Sequence, residues 1–363
     1  MLASLEADRR RILVLEIEIL KLQQALSALQ TEKDPVQGRL DAYRYPVLIL
    51  PNEIISEIFL WFIPPYPDEL PLAGSSSPTI LTHICRKWRE IALATPQLWR
   101  TIVIDEQLRS REVQGDIAET WMRRSKSLPL SVHVNNYLGT SPALPSLIPG
   151  AARWEHLSLV LWDVDSQILS NAMPLLRQLH LHVDDEINTV VCGDMPLLRT
   201  VHLALFAIGN VALPWAQLTS LSLEGAYMGE FGPILLQTPN LVHLSLEIIA
   251  AGDDIDFSEI RLLCLQTCDL DSSELECPEV LNTLIAPALR SLRLPEQFLG
   301  DDDPINILQA FISRSQCKLD SLSIMSTLTP LQSYRRAFPS IPEIVCSLRL
   351  PKPVVDSSSG EDD

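Results

Sequence analysis

Five of the seven histidines in this 363-residue chain, His156, His180, His182, His202 and His243, fall in or beside short Leu-x-Leu stretches. Converging imidazoles can ligate a transition metal. His180 and His202 hold equivalent places in successive stretches, so adjacent strands would bring them to roughly 5 Å. Imidazole alone is a weak ligand signal without a second shell to orient it, and the simpler expectation is a row of polar groups on a wet strand face. Cys264, Cys268 and Cys277 form the other metal-like spacing, but no second pair or nearby histidine completes four ligands. They read as core thiols. Asp184-Asp185-Glu186 and Asp301-Asp302-Asp303 lack the spacing and turn glycine of a calcium loop and read as solvated turns. The sequence contains no G-x-x-x-x-G-K-[ST], H-E-x-x-H, G-x-S-x-G or G-x-G-x-x-G, so no phosphate loop, zincin helix or nucleophile elbow is expected. The expectation is a non-enzyme without metal or cofactor.

Bulk properties narrow the partners. The net charge is −18, and the stretch 105–350 carries −14 of it. Such a surface repels phosphate backbones and anionic lipid, which argues against nucleic acid and membrane as partners. No apolar run approaches the roughly 18 residues of a membrane helix, and the arginine-rich start lacks a signal-peptide core. Seven scattered cysteines, an odd number, fit reduced thiols of an intracellular protein, cytoplasmic or nuclear. The apolar fraction of 47% is enough for folded domains.

Four regions follow along the chain. In residues 1–35, Leu5, Ile12, Ile19 and Leu26 alternate with Asp8, Leu15, Leu22 and Leu29 as a and d positions, seven of the eight apolar. This spacing predicts a short coiled coil that self-associates through residues 1–30, or one amphipathic helix folded back on its own protein. Asp34-Pro35 and Gly38 are expected to end it. Residues 40–104 predict a small helical unit. One helix starts at Asn52-Glu53 with Ile54, Ile55, Ile58, Phe59 and Phe62 on one face, and a second spans 80–93. Thr95-Pro96 caps a turn leading to Leu98-Trp99, and a Pro/Ser-rich loop fills 64–79. The apolar residues of this unit exceed what about fifty residues bury alone, which calls for a partner or a docked neighbour.

Residues 127–350 repeat. Met173-Pro-Leu-Leu-Arg-Gln-Leu179-His-Leu181 returns as Met195-Pro-Leu-Leu-Arg-Thr-Val201-His-Leu203. Looser copies end at Leu159, Leu223, Leu246, Leu294, Ile324 and Leu350, with a degenerate one at Leu263-Cys-Leu265. The first intervals are 22, 22, 20 and 23 residues. This is a leucine-rich-repeat pattern, so an α/β solenoid is expected. Polar residues between the leucines then form columns on the open strand face: His156, Gln178, Thr200, Ser220 and His243; Ser158, His180, His202, Ser222, Ser245, Arg293 and Ser323; His182, Glu224 and Glu247. A target protein is expected to bind there. Residues 351–363 are acidic and Ser-rich, and disorder is expected.

Within 40–104, Leu50-Pro51-x-Glu53-Ile54-Ile55-x-x-Ile58-Phe59, Ile84-Cys85-Arg86-x-Trp88-Arg89-x-Ile91-Ala92 and Leu98-Trp99 follow one another. With the Leu-Asp-x-Tyr-x-Tyr-Pro-Val lead at 40–47, the segment resembles a fungal F-box-like domain. The 64–79 insertion departs from a compact F-box. The resemblance implies docking onto the S-phase-kinase-associated adaptor of cullin–RING ubiquitin ligases, with Leu50, Pro51, Ile54, Ile58, Ile84 and Trp88 in or behind that interface. The chain would then be a substrate receptor. If those residues instead serve only to close the first repeat, it is a non-ligase scaffold.

Overall fold

The computed structural model describes residues 2–42, 46–64, 66–68, 70–105, 111–136, 144–161, 168–183, 190–204, 211–250, 259–272, 278–300 and 303–347. The fold is mixed α/β, with an N-terminal helix and a parallel sheet of 11 strands. The triad 184–186, Asp301 and Asp302, Cys277, residues 348–350 and the 351–363 tail lie outside the described residues, whereas Asp303 caps the helix Pro304–Ser315.

Helix α1 spans Leu2–Ala42 and runs through Pro35 and Gly38 rather than ending there. A proline in a helix leaves the carbonyl four residues back without its amide donor. Here the residues around Pro35 are exposed, so water can satisfy that carbonyl. Every residue from Leu5 to Ala42 is exposed, so none of the described residues packs over this part of α1.

The small helical unit follows. Helix α2 covers Asn52–Leu60 with Glu53 in its first turn. The second expected helix is two helices: α3 (Leu81–Ile84) and α4 (Arg86–Ala94). Cys85 between them is extended, and its Sγ accepts from the Trp88 amide. The thiol thus caps α4 as a serine would and breaks the apolar run that otherwise reads as continuous. Leu98 and Trp99 end in the core. The Trp99 indole donates to the Ala92 carbonyl at 3.0 Å and meets Trp121 edge-to-face at 5.2 Å. Trp121 belongs to α5 (Arg111–Arg124), so this ring pair joins the helical unit to the sheet.

The strands are β1 (Thr101–Asp105), β2 (Leu130–Asn136), β3 (Trp154–Leu161), β4 (Gln178–Val183), β5 (Thr200–Ala204), β6 (Ser220–Tyr227), β7 (His243–Ala250), β8 (Thr267–Ser272), β9 (Ser291–Pro295), β10 (Ser321–Met325) and β11 (Glu343–Ser347). They lie side by side in chain order, each parallel to the next. The sheet therefore begins at Thr101, before the expected 127. Leu157, Leu179, Val201, Leu221, Leu244, Cys268, Leu292, Leu322 and Ile344 form one inward row. All are buried, as period-2 alternation requires of one sheet face.

Two repeats differ from their expected registers. The copy placed at Leu263-Cys-Leu265 is Leu265-x-x-Cys268-x-Leu270, with Leu263 61% exposed and Cys268 buried in a leucine slot. The last is Ile341-x-x-Ile344-x-Cys346, not the stretch ending at Leu350. One hydrophobic cluster runs from Ile55 to Ile344, so the helical unit and sheet share a core. No helix among the described residues is long and apolar enough to cross a membrane.

Candidate functional site

Two surfaces carry the residues singled out above. The first is the outer side of the helical unit. Along α2, Ile55 and Phe59 are 1% and 2% exposed, whereas Ile54 and Ile58 are 48% and 47% exposed. The expected single apolar face is thus two faces, because adjacent residues on a helix point about 100° apart. Trp61, 85% exposed at the end of α2, extends the outer row at i, i+4, i+7. That spacing from Ile54 was available in the sequence, yet Phe62 fits the inner stripe and draws attention away from Trp61. Ile49 and Ile84 are also exposed, as is Pro51.

Leu50 and Trp88 stand behind this surface. Both are half-buried and pack on the core. The Leu50 carbonyl accepts from Lys87 Nζ at 3.0 Å, and Trp88 meets Phe59 edge-to-face at 5.0 Å. Of the six expected adaptor-facing residues, Pro51, Ile54, Ile58 and Ile84 are exposed while Leu50 and Trp88 brace them.

The second surface is the polar face of the sheet. The strand register aligns Ser131, His156, Gln178, Thr200, Ser220, His243 and Thr267 in one row. The next row holds His133, Ser158, His180, His202, Ser222, Ser245, Asp269, Arg293 and Ser323. In the third row Ala204 stands between His182 and Glu224, and beyond a register shift between β6 and β7 Glu247 pairs with Asp271. Every expected target-facing residue falls on this face. Thr267, Asp269 and Asp271 were missed because Cys268 hides their repeat.

Neighbouring polar groups on this face partner each other. Ser131 Oγ and His156 Nδ1 are 2.9 Å apart, and His243 Nδ1 is 2.6 Å from Thr267 Oγ1. Ser158 Oγ approaches His180 Nδ1 at 3.4 Å. The His180 and His202 rings meet edge-to-face with centroids 4.2 Å apart, and His202 Nε2 is 3.4 Å from Glu224 Oε2. Burial, then the neighbouring His202, pushes His180 down to about 4. Burial also lowers His156 against the opposing pull of Glu155. Arg293 reaches Asp269 at 3.2 Å.

Convergent imidazoles are therefore present, but no group of three His, Cys, Asp or Glu among the described residues is arranged to hold a metal ion. Cys264 is exposed and Cys268 buried, so the two thiols face different surroundings.

The 64–79 insertion reaches this second surface. Tyr66 stacks on His156 with centroids 4.1 Å apart and a 17° tilt, and lies 5.8 Å from His133. The end of the insertion is tied down by Ser77, whose buried hydroxyl donates to the Leu72 carbonyl at 3.0 Å and accepts from the Thr79 amide at 3.2 Å. No sequence pattern announces a contact between residues so far apart.

No protein-family model matches this chain, and no curated protein matches it.

Proposed function

We propose that this chain is the substrate-recognition subunit of a cullin–RING ubiquitin ligase. The F-box-like helices dock the S-phase-kinase-associated adaptor, and the polar strand face holds a target protein. The observation that carries this reading is the outer row of α2. Ile54, Ile58 and Trp61 are exposed in a unit whose inner residues are fully packed, and an uncovered apolar row of this kind marks a protein-binding surface. The sheet is read as a divergent leucine-rich-repeat solenoid, supported by its parallel, chain-ordered strands and its inward leucine row. The chain itself supplies no catalytic group. It acts by proximity, holding a target where the transferring enzyme meets it at high effective concentration.

The scaffold alternative draws on one observation, the Trp99–Trp121 contact that seats the helical unit on the end of the sheet as a cap. Capping and docking use opposite sides of the unit, so they are compatible. A direct test is co-purification of the purified full chain with the adaptor, for the parent and for Ile54→Glu with Ile58→Glu. These exposed positions are better probes than Leu50, whose loss also disturbs packing. A complex formed by the parent and absent in the variant supports the receptor reading. A folded parent chain that does not bind the adaptor overturns it and leaves the scaffold.

A further inference from the structure

We propose that α1 pairs with α1 of a second copy as a parallel, in-register, two-stranded coiled coil along the seam from Leu5 to Leu29. This pairing is independent of the adaptor reading. The seven apolar residues of the seam are 40% to 66% exposed, and no part of the described chain covers them. Isoleucine at the central a positions (Ile12, Ile19) with leucine at d (Leu15, Leu22, Leu29) is the combination that favours two parallel strands.

Charge sets the orientation. In a parallel pair each g residue faces the e residue of the next heptad on the other helix, which places Arg11 opposite Glu16 of the second copy, twice by symmetry. In an antiparallel pair with Leu5 opposite Leu29, e faces e and g faces g. Glu16 would then meet Glu16 and Glu18 would meet Glu18. The one polar core position, Asp8, fixes the register, because in-register pairing confines both carboxylates to one layer beside the Arg9 guanidiniums at e.

The helix also supplies its own control. Leu13, Ile17 and Leu20, exposed at 60%, 56% and 55%, form a shorter row on roughly the opposite side. Indiscriminate apolar association would use both rows, whereas the coiled coil uses only the seam.

Light scattering on the full chain at micromolar concentration should give twice the 40.6 kDa chain mass. Leu15→Asp with Leu22→Asp should return the monomer with the circular dichroism and unfolding of the sheet unchanged. Leu13→Ser, Ile17→Ser and Leu20→Ser together should leave the dimer intact. Arg11→Glu should weaken association about ten-fold, and adding Glu16→Arg should restore it. A monomeric parent, a larger assembly, or a dimer lost with the Leu13 row would overturn the proposal. Failure of the charge swap to restore pairing would overturn the parallel orientation.

Discussion

The outer side of α2 and the outer face of the sheet lie over the same continuous core, yet they meet water differently. The sheet presents hydroxyls, imidazoles and carboxylates that bond laterally, as His243 does with Thr267. Leaving such a face open costs little, so its energetics say nothing about what binds there. The helix presents Ile54, Ile58 and Trp61, whose exposure is unfavourable until something covers them. A surface held at a cost points to a partner more sharply than one held for free.

That contrast breaks most readily within α2 itself. Phe59→Ala should cost about 3–5 kcal/mol in chemical denaturation, as buried aromatics do. Ile58→Ala, one residue away, should change stability by no more than about 0.5 kcal/mol while weakening adaptor binding more than about ten-fold. Equal stability costs at the two positions would mean that α2 does not have two faces.

The next effect concerns a polar group hidden rather than displayed. Burial pushes the Glu296 carboxyl up, but hydrogen bonds from Thr329, Leu328 and Tyr334 outweigh it and hold the group below its usual range. The Tyr334 hydroxyl donates to it at 2.8 Å. Its stabilisation is therefore present above the unfolded carboxyl value of about 4.3 and lost as pH falls through the lower folded value. Glu296→Gln should cost about 1–3 kcal/mol at neutral pH and flatten the acid limb of a stability–pH curve. A limb of unchanged slope would remove Glu296 as its source.

His180 gives a smaller effect in a different window. Its folded value near 4 lies below the ordinary 6.5, so the unfolded chain takes up the proton first. Stability is then whole above about pH 6.5 and declines toward pH 4, by about 1 kcal/mol once solvent screening is allowed for. His180→Asn should remove that decline in urea titrations at stepped pH, and a decline that persists would assign it elsewhere. Least of all, Arg293→Ala should cost under about 0.5 kcal/mol, because its pair with Asp269 is solvated. A larger loss by thermal unfolding would mean that this exposed pair bears on stability after all.

The inward leucine row was legible because a strand places every second residue on one face, and Leu-x-x-Leu-x-Leu is that geometry written out. The start of α2 was legible for a similar local reason, an acidic first turn behind Leu50-Pro51. What escaped depends on substitutions or on distance. Cys268 fills a leucine slot because a buried thiol is a small hydrophobe, and Ile344 and Cys346 do the same in the last strand. Cys85 caps a helix with sulfur, which no common start signal includes. Pro35 lies inside α1 instead of ending it, and nothing in the structure explains why. Tyr66 stacks on His156 across 90 positions, a tertiary contact with no local trace.

The strands stand in the order in which a ribosome would release them. Helix α1, the helical unit and β1 emerge first, and every later strand finds its neighbour already in place one repeat back. Sheet growth therefore needs no search among distant partners, and the entropy of closing each new loop is set by repeat length rather than chain length. During synthesis the newest strand is always the unpaired edge. A stall part-way would expose a row of backbone donors and acceptors, the point at which a nascent chain of this design is most open to mispairing.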